Sequence, residues 1–168
     1  MIHVYYGNGK GKTTAALGLL LRAAGCGVKC VLVQFLKDWR CGELVSLAGL
    51  ENVTVLRGKA GTASFSNKMT DEELAATREL HNENLRAALA QDCGLLVLDE
   101  LIDAVQLGLI DEDLVRGLLA APPEGLEIVI TGHGEVDWIL ERADYITEMV
   151  KRRHPYDKGV AARRGVEF

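Results

Sequence analysis

The chain has little of what several protein classes require. Its four cysteines, Cys26, Cys30, Cys41 and Cys93, contain no C-x-x-C pair. That spacing argues against a zinc site and a disulfide framework, and it fits free thiols in a reducing compartment. Basic charge is not in excess: 19 Lys and Arg against 24 Asp and Glu leave a formal net charge of -5. A field of that sign does not hold nucleic acid or an anionic membrane, so any bound anion must be gripped locally. The longest apolar stretches, such as 15–21, are far too short to span a bilayer. The first residues lack the charged and apolar regions of a signal peptide. Repeats, linkers and low-complexity segments are missing. The expectation is a soluble cytoplasmic protein with no nucleic-acid and no membrane partner, its 168 residues forming one domain, 1–168, with a sizeable core.

What is present centres on Tyr5-Tyr6-Gly7-Asn8-Gly9-Lys10-Gly11-Lys12-Thr13-Thr14. A short apolar strand precedes it and an Ala- and Leu-rich helix follows. Strand, glycine loop and Gly-Lys-Thr opening a helix form the phosphate-cradle arrangement. Glycines let backbone N–H groups approach a polyphosphate, and the helix N-terminus adds partial positive charge there. Lys12 is placed to contact a terminal phosphate, and the Thr13 hydroxyl to ligate magnesium. The first glycine of G-x-x-x-x-G-K-[ST] falls on Tyr6, and glycines recur at every second position with an extra cation, Lys10. The alternative is a glycine-rich turn that binds nothing.

The second informative stretch is Leu95-Leu96-Val97-Leu98-Asp99-Glu100, an apolar strand ending in two acids. It places carboxylates at the carboxyl edge of a parallel sheet, where the loop also opens. Magnesium bridging phosphates takes hard oxygen ligands from one or two carboxylates plus water, which suits Asp99 and Glu100. Asp99 reads alternatively as the cap of a helix over 101–107. Val28–Phe35, Val53–Leu56, Leu126–Thr131 and Tyr145–Val150 read as further strands. Residues 36–43 read as a polar loop and 57–69 as a long loop fit for a binding or lid role. Thr70 and Glu73 form a capping box for a helix to about Gln91. Its inner stripe is Leu74, Thr77, His81, Leu85, Ala88 and Leu89, with His81 a packed or bridging residue rather than a catalytic one. Helices are expected over 111–120, stopped by Pro122-Pro123, and over 135–142. Thr131 and His133 either hydrogen-bond a phosphate or make a plain turn. Composition alone makes 151–168 a solvated cationic tail. The pattern defines a three-layer α/β domain, P-loop NTPase-like (RecA-like), with a mainly parallel sheet of about six strands.

Read together, Tyr6–Ala16, Val33-Gln34-Phe35-Leu36-Lys37 with Gly42-Glu43, Val97–Glu100, Thr131-Gly132-His133, Ala143–Met149, His154–Gly159 and Ala162–Phe168 resemble the corrinoid adenosyltransferases of the CobA/CobO/BtuR type. The closing Ala162-Arg163-Arg164-Gly165-Val166-Glu167-Phe168 is far more specific than the loop, and it turns the solvated tail into part of the site. The resemblance implies transfer of the 5′-deoxyadenosyl group of ATP to the Co(I) centre of a corrinoid, with triphosphate leaving whole. It implies ATP as co-substrate, Mg2+, a homodimer and a flavoprotein reductant. Catalytic roles fall to Lys12, Thr13 and Glu100; ATP binding to Gly7, Asn8, Gly9, Lys10, Gly11, Lys12, Thr13 and Thr14; metal binding to Thr13, Asp99 and Glu100. Phe65, Trp39 or Met69 would lid the corrinoid's apolar face, and Asp157, Arg163 and Glu167 belong to the closing motifs. The competing functions are a P-loop kinase or NTPase acting at the γ-phosphate and a non-catalytic corrinoid or nucleotide carrier.

Overall fold

In a computed structural model, residues 1–37, 41–58 and 69–167 are described. Short apolar runs form β1 (Ile2–Tyr6), β2 (Cys30–Gln34), β3 (Val53–Arg57), β4 (Leu95–Asp99), β5 (Glu127–Gly132) and β6 (Tyr145–Glu148). They join one sheet in the order β3-β2-β4-β5-β1-β6. Every pairing is parallel, so the sheet is parallel throughout rather than mainly so.

Alternation along each strand feeds two cores. Val31, Val33, Leu96, Leu98, Ile128 and Ile130 face one side, where they meet Leu85 and Ala88 of α3 (Asp71–Leu89) and Leu101 and Ile102 of α4 (Leu101–Gln106). Cys30, Leu32, Leu95, Val97 and Val129 face the other and meet Ala16, Leu17 and Leu20 of α1 (Lys12–Gly25). Burial on both faces is why the central strands read as unbroken apolar runs. The edge strand β6 differs, with all four residues exposed.

The parallel arrangement gathers strand carboxyl ends on one edge. Gln34 lies beside Asp99 and Tyr6 beside Gly132 in the register. β5 stands between β1, which leads into the glycine loop, and β4, which ends in the acids.

Local expectations hold with adjustments. The capping box opens α3: the Glu73 N–H donates to Thr70 Oγ1 (3.2 Å) and the Thr70 N–H to Glu73 Oε2 (2.8 Å). The inner face of α3 carries Thr77, His81, Asn82, Leu85 and Ala88. Leu74, assigned there by periodicity, is 37% exposed. Asn82 belongs to the face instead, because its Oδ1 accepts the Asp111 N–H (2.8 Å). The polar loop expected over 36–43 leads into a short helix, α2 (Gly42–Leu47), which buries Leu47. α5 (Glu112–Ala120) is capped by the Asp111 side chain, and the helix expected over 135–142 shortens to α6 (Asp137–Leu140). Most of the expected loop over 57–69, including Phe65, lies outside the described residues, as does Trp39. Among the described residues no helix is long and apolar enough to cross a membrane.

Candidate active site

The glycine loop is shaped as much by the chain around it as by any ligand. Gly7 and Gly11 have positive φ (106° and 119°), a region L side chains avoid. Gly9 is constrained differently. A Cβ there would stand 2.6 Å from the Met149 carbonyl oxygen, and one at Gly7 would stand 2.7 Å from the same atom. The Gly9 N–H donates to that oxygen, and the Met149 N–H donates to Tyr6 O (2.7 Å). Gly7 and Gly9 therefore admit the backbone that follows β6, a role the phosphate-cradle reading does not contain. α1 opens immediately after Gly11, with its first N–H groups lacking intrahelical partners.

Lys12 is 7% exposed and folds back into the loop, its Nζ donating to Gly7 O (2.7 Å) and Gly9 O (3.0 Å). Burial pushes its pKa below the ordinary lysine value, opposed by Glu100 and Asp103. The Thr13 hydroxyl donates to Asp99 Oδ1 (2.9 Å). Thr131, arriving on β5, also donates to Asp99 Oδ1 (2.8 Å) and accepts the Glu100 N–H (2.8 Å). That last bond steadies Glu100, whose backbone is left-handed (φ 64°). Asp99 is fully buried, and Gln34 Nε2 donates to its Oδ2 (3.3 Å). Gln34 Oε1 is a buried acceptor with no hydrogen-bond partner among the described residues.

Lys37 closes the arrangement. Its ammonium lies 2.6 Å from Asp99 Oδ2, 3.4 Å from Glu100 Oε1 and 3.2 Å from Thr13 Oγ1. Burial works against the charge, but Asp99 and Glu100 outweigh it and raise the pKa. The preceding residue, Leu36, is also left-handed (φ 57°). His81 anchors that turn. Its Nδ1 donates to Leu109 O (2.8 Å), so Nε2 is the bare nitrogen that accepts the Leu36 N–H (3.3 Å). Burial lowers the His81 pKa and keeps this neutral tautomer. Phe35 meets the ring edge-on at 5.2 Å.

On the far side of Glu100, Asp103 and His133 complete a cluster whose ligand atoms lie within 4.8 Å of one another. The His133 N–H donates to Asp103 Oδ2 (3.0 Å), and His133 Nδ1 lies 3.1 Å from Asp103 Oδ1 and 3.5 Å from Glu100 Oε2. Hydrogen bonds to both carboxylates push its pKa up to about 9. Asp103 is raised by burial but net lowered by the bond to His133.

Asn8–Thr14, Lys37, Glu100 and His133 line a cleft of about 300 Å³. Glu167 and His154 bring the tail to the same cleft. Lys10 Nζ donates to Val166 O (2.9 Å) and Asn8 Oδ1 accepts the Lys151 N–H (2.8 Å). Arg163 pairs with Glu167 (3.0 Å) and Lys151 with Asp157 (3.0 Å). Of the expected site residues, Asn8 to Thr14, Glu100 and Glu167 line the cleft. Gly7, Asp99, Asp157, Arg163 and Met69 are not among its lining. The expectations missed Lys37 and Asp103. Lys37 follows the end of β2 by three residues at the same sheet edge as Asp99, and Asp103 lies three residues after Glu100, one face of a helix.

A strand–glycine loop–helix unit whose Lys12 folds into the loop and whose Thr13 bonds a strand-end acid of a parallel sheet defines a protein of the P-loop class. The model of the family described as ATP:corrinoid adenosyltransferase BtuR/CobO/CobP matches residues 1–168, and the chain belongs to that family of transferases. It is 34% identical to the corrinoid adenosyltransferase of Escherichia coli (strain K12), over all of this chain and 85% of the relative. The corrinoid adenosyltransferase CobA of Salmonella typhimurium is likewise 34% identical, over the same shares. The Pseudomonas aeruginosa enzyme is 31% identical over 98% of this chain and 82% of its own length. Membership makes the protein an enzyme of adenosyl transfer in corrinoid metabolism.

Proposed function

We propose that this protein transfers the 5′-deoxyadenosyl group of ATP to Co(I) of a corrinoid and releases triphosphate. The observation that carries the reading is the full-length family match on a cleft where Lys10, Lys12 and Lys37 converge. The chemistry suits such a cleft. The Co(I) electron pair attacks the ribose C5′, the Co–C bond forms, and the C5′–O bond breaks with its electrons leaving on the triphosphate. Cobalt ends as Co(III) in the adenosylated product, which leaves; an incoming corrinoid in the Co(II) state must first take one electron from a reductant to become the Co(I) nucleophile. We assign that donor to a flavoprotein and the working unit to a homodimer. The protein's task is to hold and neutralise a highly charged leaving group, which fixed ammonium groups and helix N–H groups do without reorganising. Holding C5′ in line with cobalt supplies further rate.

The residues present fit a Mg2+ ion. Thr13, Asp99 and Glu100 offer hard oxygens around one point, and a cation, the Lys37 ammonium, sits among them. Gln34 Oε1 is a buried acceptor suited to a water. When bound, Mg2+ would neutralise phosphate charge as the triphosphate departs. Glu100 and Thr13 would face it, and Asp99 would hold Thr13 in place. Gly7, Asn8, Gly9, Lys10, Gly11, Lys12 and Thr14 are assigned to the nucleotide. We further assign 1–168 to one domain, with 151–168 contributing through Glu167, Arg163 and Asp157. Phe65, Trp39 and Met69 remain the proposed apolar contacts of the corrinoid.

The test supplies ATP, Mg2+ and chemically reduced cobalamin or cobinamide and follows the light-sensitive Co–C spectrum and the phosphate products. Adenosylated corrinoid with stoichiometric triphosphate is the expected result. No adenosylation with Co(I) verified overturns the reading, and release of ADP or orthophosphate instead assigns the cleft to the γ-phosphate.

A further inference from the structure

Lys37 stands where a divalent cation would have to stand. Three oxygens, Asp99 Oδ2 at the end of β4, Glu100 Oε1 in the next residue and Thr13 Oγ1 on α1, lie within 3.4 Å of its Nζ. A dication held by the same oxygens would sit against the ammonium, so the two cannot share the place. Yet Asp99 is fully buried, and a buried carboxylate without a counter-charge is costly. The side chain is also aimed. The left-handed turn at Leu36, fixed by His81, and the Arg57 guanidinium donating to Lys37 O (2.9 Å) hold its backbone at this spot.

We propose that Lys37 is a tethered stand-in for the metal, and that it makes the cleft accept metal and polyphosphate together rather than singly. Without ligand, Lys37 balances Asp99 and Glu100. When a divalent cation enters with its polyphosphate, the ammonium gives up the carboxylates and moves to the phosphate oxygens, the nearest anions newly offered. Metal alone must displace Lys37 with no new partner for it; polyphosphate alone finds Lys37 engaged. The coupling is reciprocal, as linkage requires. The inference rests on reading Thr13, Asp99 and Glu100 as the cation seat, and it assigns Lys37 a positioning and selecting role toward the metal–triphosphate complex.

Wild type and Lys37→Met are compared without nucleotide or corrinoid. Mn2+ alone is titrated and its free fraction read by electron paramagnetic resonance. Inorganic tripolyphosphate is then titrated by calorimetry at saturating Mn2+. Losing the competing charge should tighten Mn2+ binding about tenfold or more, while losing the phosphate partner should weaken tripolyphosphate about tenfold. A folded Lys37→Met that binds Mn2+ no more tightly than wild type overturns the proposal. Should Lys37→Met not fold, the wild-type protein decides through reductive methylation read by mass spectrometry. Lys37 labelling should stay at its ligand-free level in millimolar Mg2+ alone and change several-fold only when tripolyphosphate is added with the metal, against Lys29, which precedes β2, as exposed reference. Labelling of Lys37 that changes as much with Mg2+ alone as with both, or with neither, overturns it equally. Failure of adenosylation alongside tightened Mn2+ binding would sink the proposed reaction and leave the role of Lys37 standing. An active enzyme with unchanged Mn2+ binding in the variant would do the reverse.

Discussion

The glycine loop has two sides, and they are held in different ways. On the inner side Asp99 is fully buried and takes donors from Thr13, Thr131, Gln34 and Lys37. On the outer side the tail is tied on by exposed contacts, Lys10 to Val166 and Lys151 to Asn8, while Arg163 and Glu167 pair within the tail. Inside, removing one partner leaves charge in a place water cannot reach. Outside, water replaces whatever is lost. The contrast sets a rigid, charge-intolerant interior against a rim whose contacts water can replace.

The largest effect should come from the inner side. Asp99→Ala leaves the Lys37 ammonium, 11% exposed, facing only Glu100, and frees the Thr13 and Thr131 hydroxyls. Breaking one half of a buried pair costs about 3–5 kcal/mol. Urea unfolding should read that loss together with loss of adenosylation. A drop under about 1 kcal/mol would mean the inner side is no more rigid than a surface pair.

Between the two sides lies Gly9. Gly9→Ala puts a methyl group 2.6 Å from the Met149 carbonyl oxygen, and backbone cannot give way as a side chain can. Overpacking of this kind costs about 1–3 kcal/mol. Limited proteolysis should show the tail cut faster while the sheet stays resistant. An unchanged tail would mean that the seam between β6 and the loop is not what holds it.

His133 gives a smaller effect with a definite sign. Its folded pKa of about 9 lies above the ordinary 6.5, so its contribution is whole below pH 6.5 and fades as pH rises through 9. At 60% exposure solvent screens much of it. Between pH 6.5 and 9 the melting temperature should fall more for wild type than for His133→Gln; parallel curves would show that His133 is not charged against Asp103 and Glu100.

The legible features were those written in neighbouring residues. Strand, loop and helix around Lys12 are contiguous, as are the β4 acids and the Thr70–Glu73 box, so local rules find them. Lys37 carries no local sign of its role because its main partner, Asp99, is 62 positions away, and only the parallel sheet brings the turn after β2 to the end of β4. Gly7 and Gly9 were given to phosphate alone because a close approach by Met149 leaves no local trace. Leu74 was misplaced because period 3.6 does not reveal that Asn82 has a backbone partner at Asp111. Tertiary contacts between residues far apart in the chain, not propensities, account for each omission.

The smallest effect should lie farthest out. Arg163 holds Glu167 through two side-chain bonds and its own N–H, which pull the Glu167 pKa down to about 2. The pair is only partly shielded, with Arg163 at 55% exposure. Exposed pairs contribute under about 1 kcal/mol even in good geometry and weaken with salt. Arg163→Ala should therefore leave the melting temperature within about a degree or two of wild type, with the difference vanishing at high salt. The interest is what happens to the cleft. Glu167 lines it, and without Arg163 its carboxylate presents unbalanced negative charge beside Lys10. Triphosphate binding should then weaken a few-fold at low ionic strength and recover as salt rises, while stability stays flat. A loss of stability matching the Asp99→Ala variant would erase the distinction between the two sides, since it would place the tail in the same buried, charge-intolerant surroundings as the strand ends.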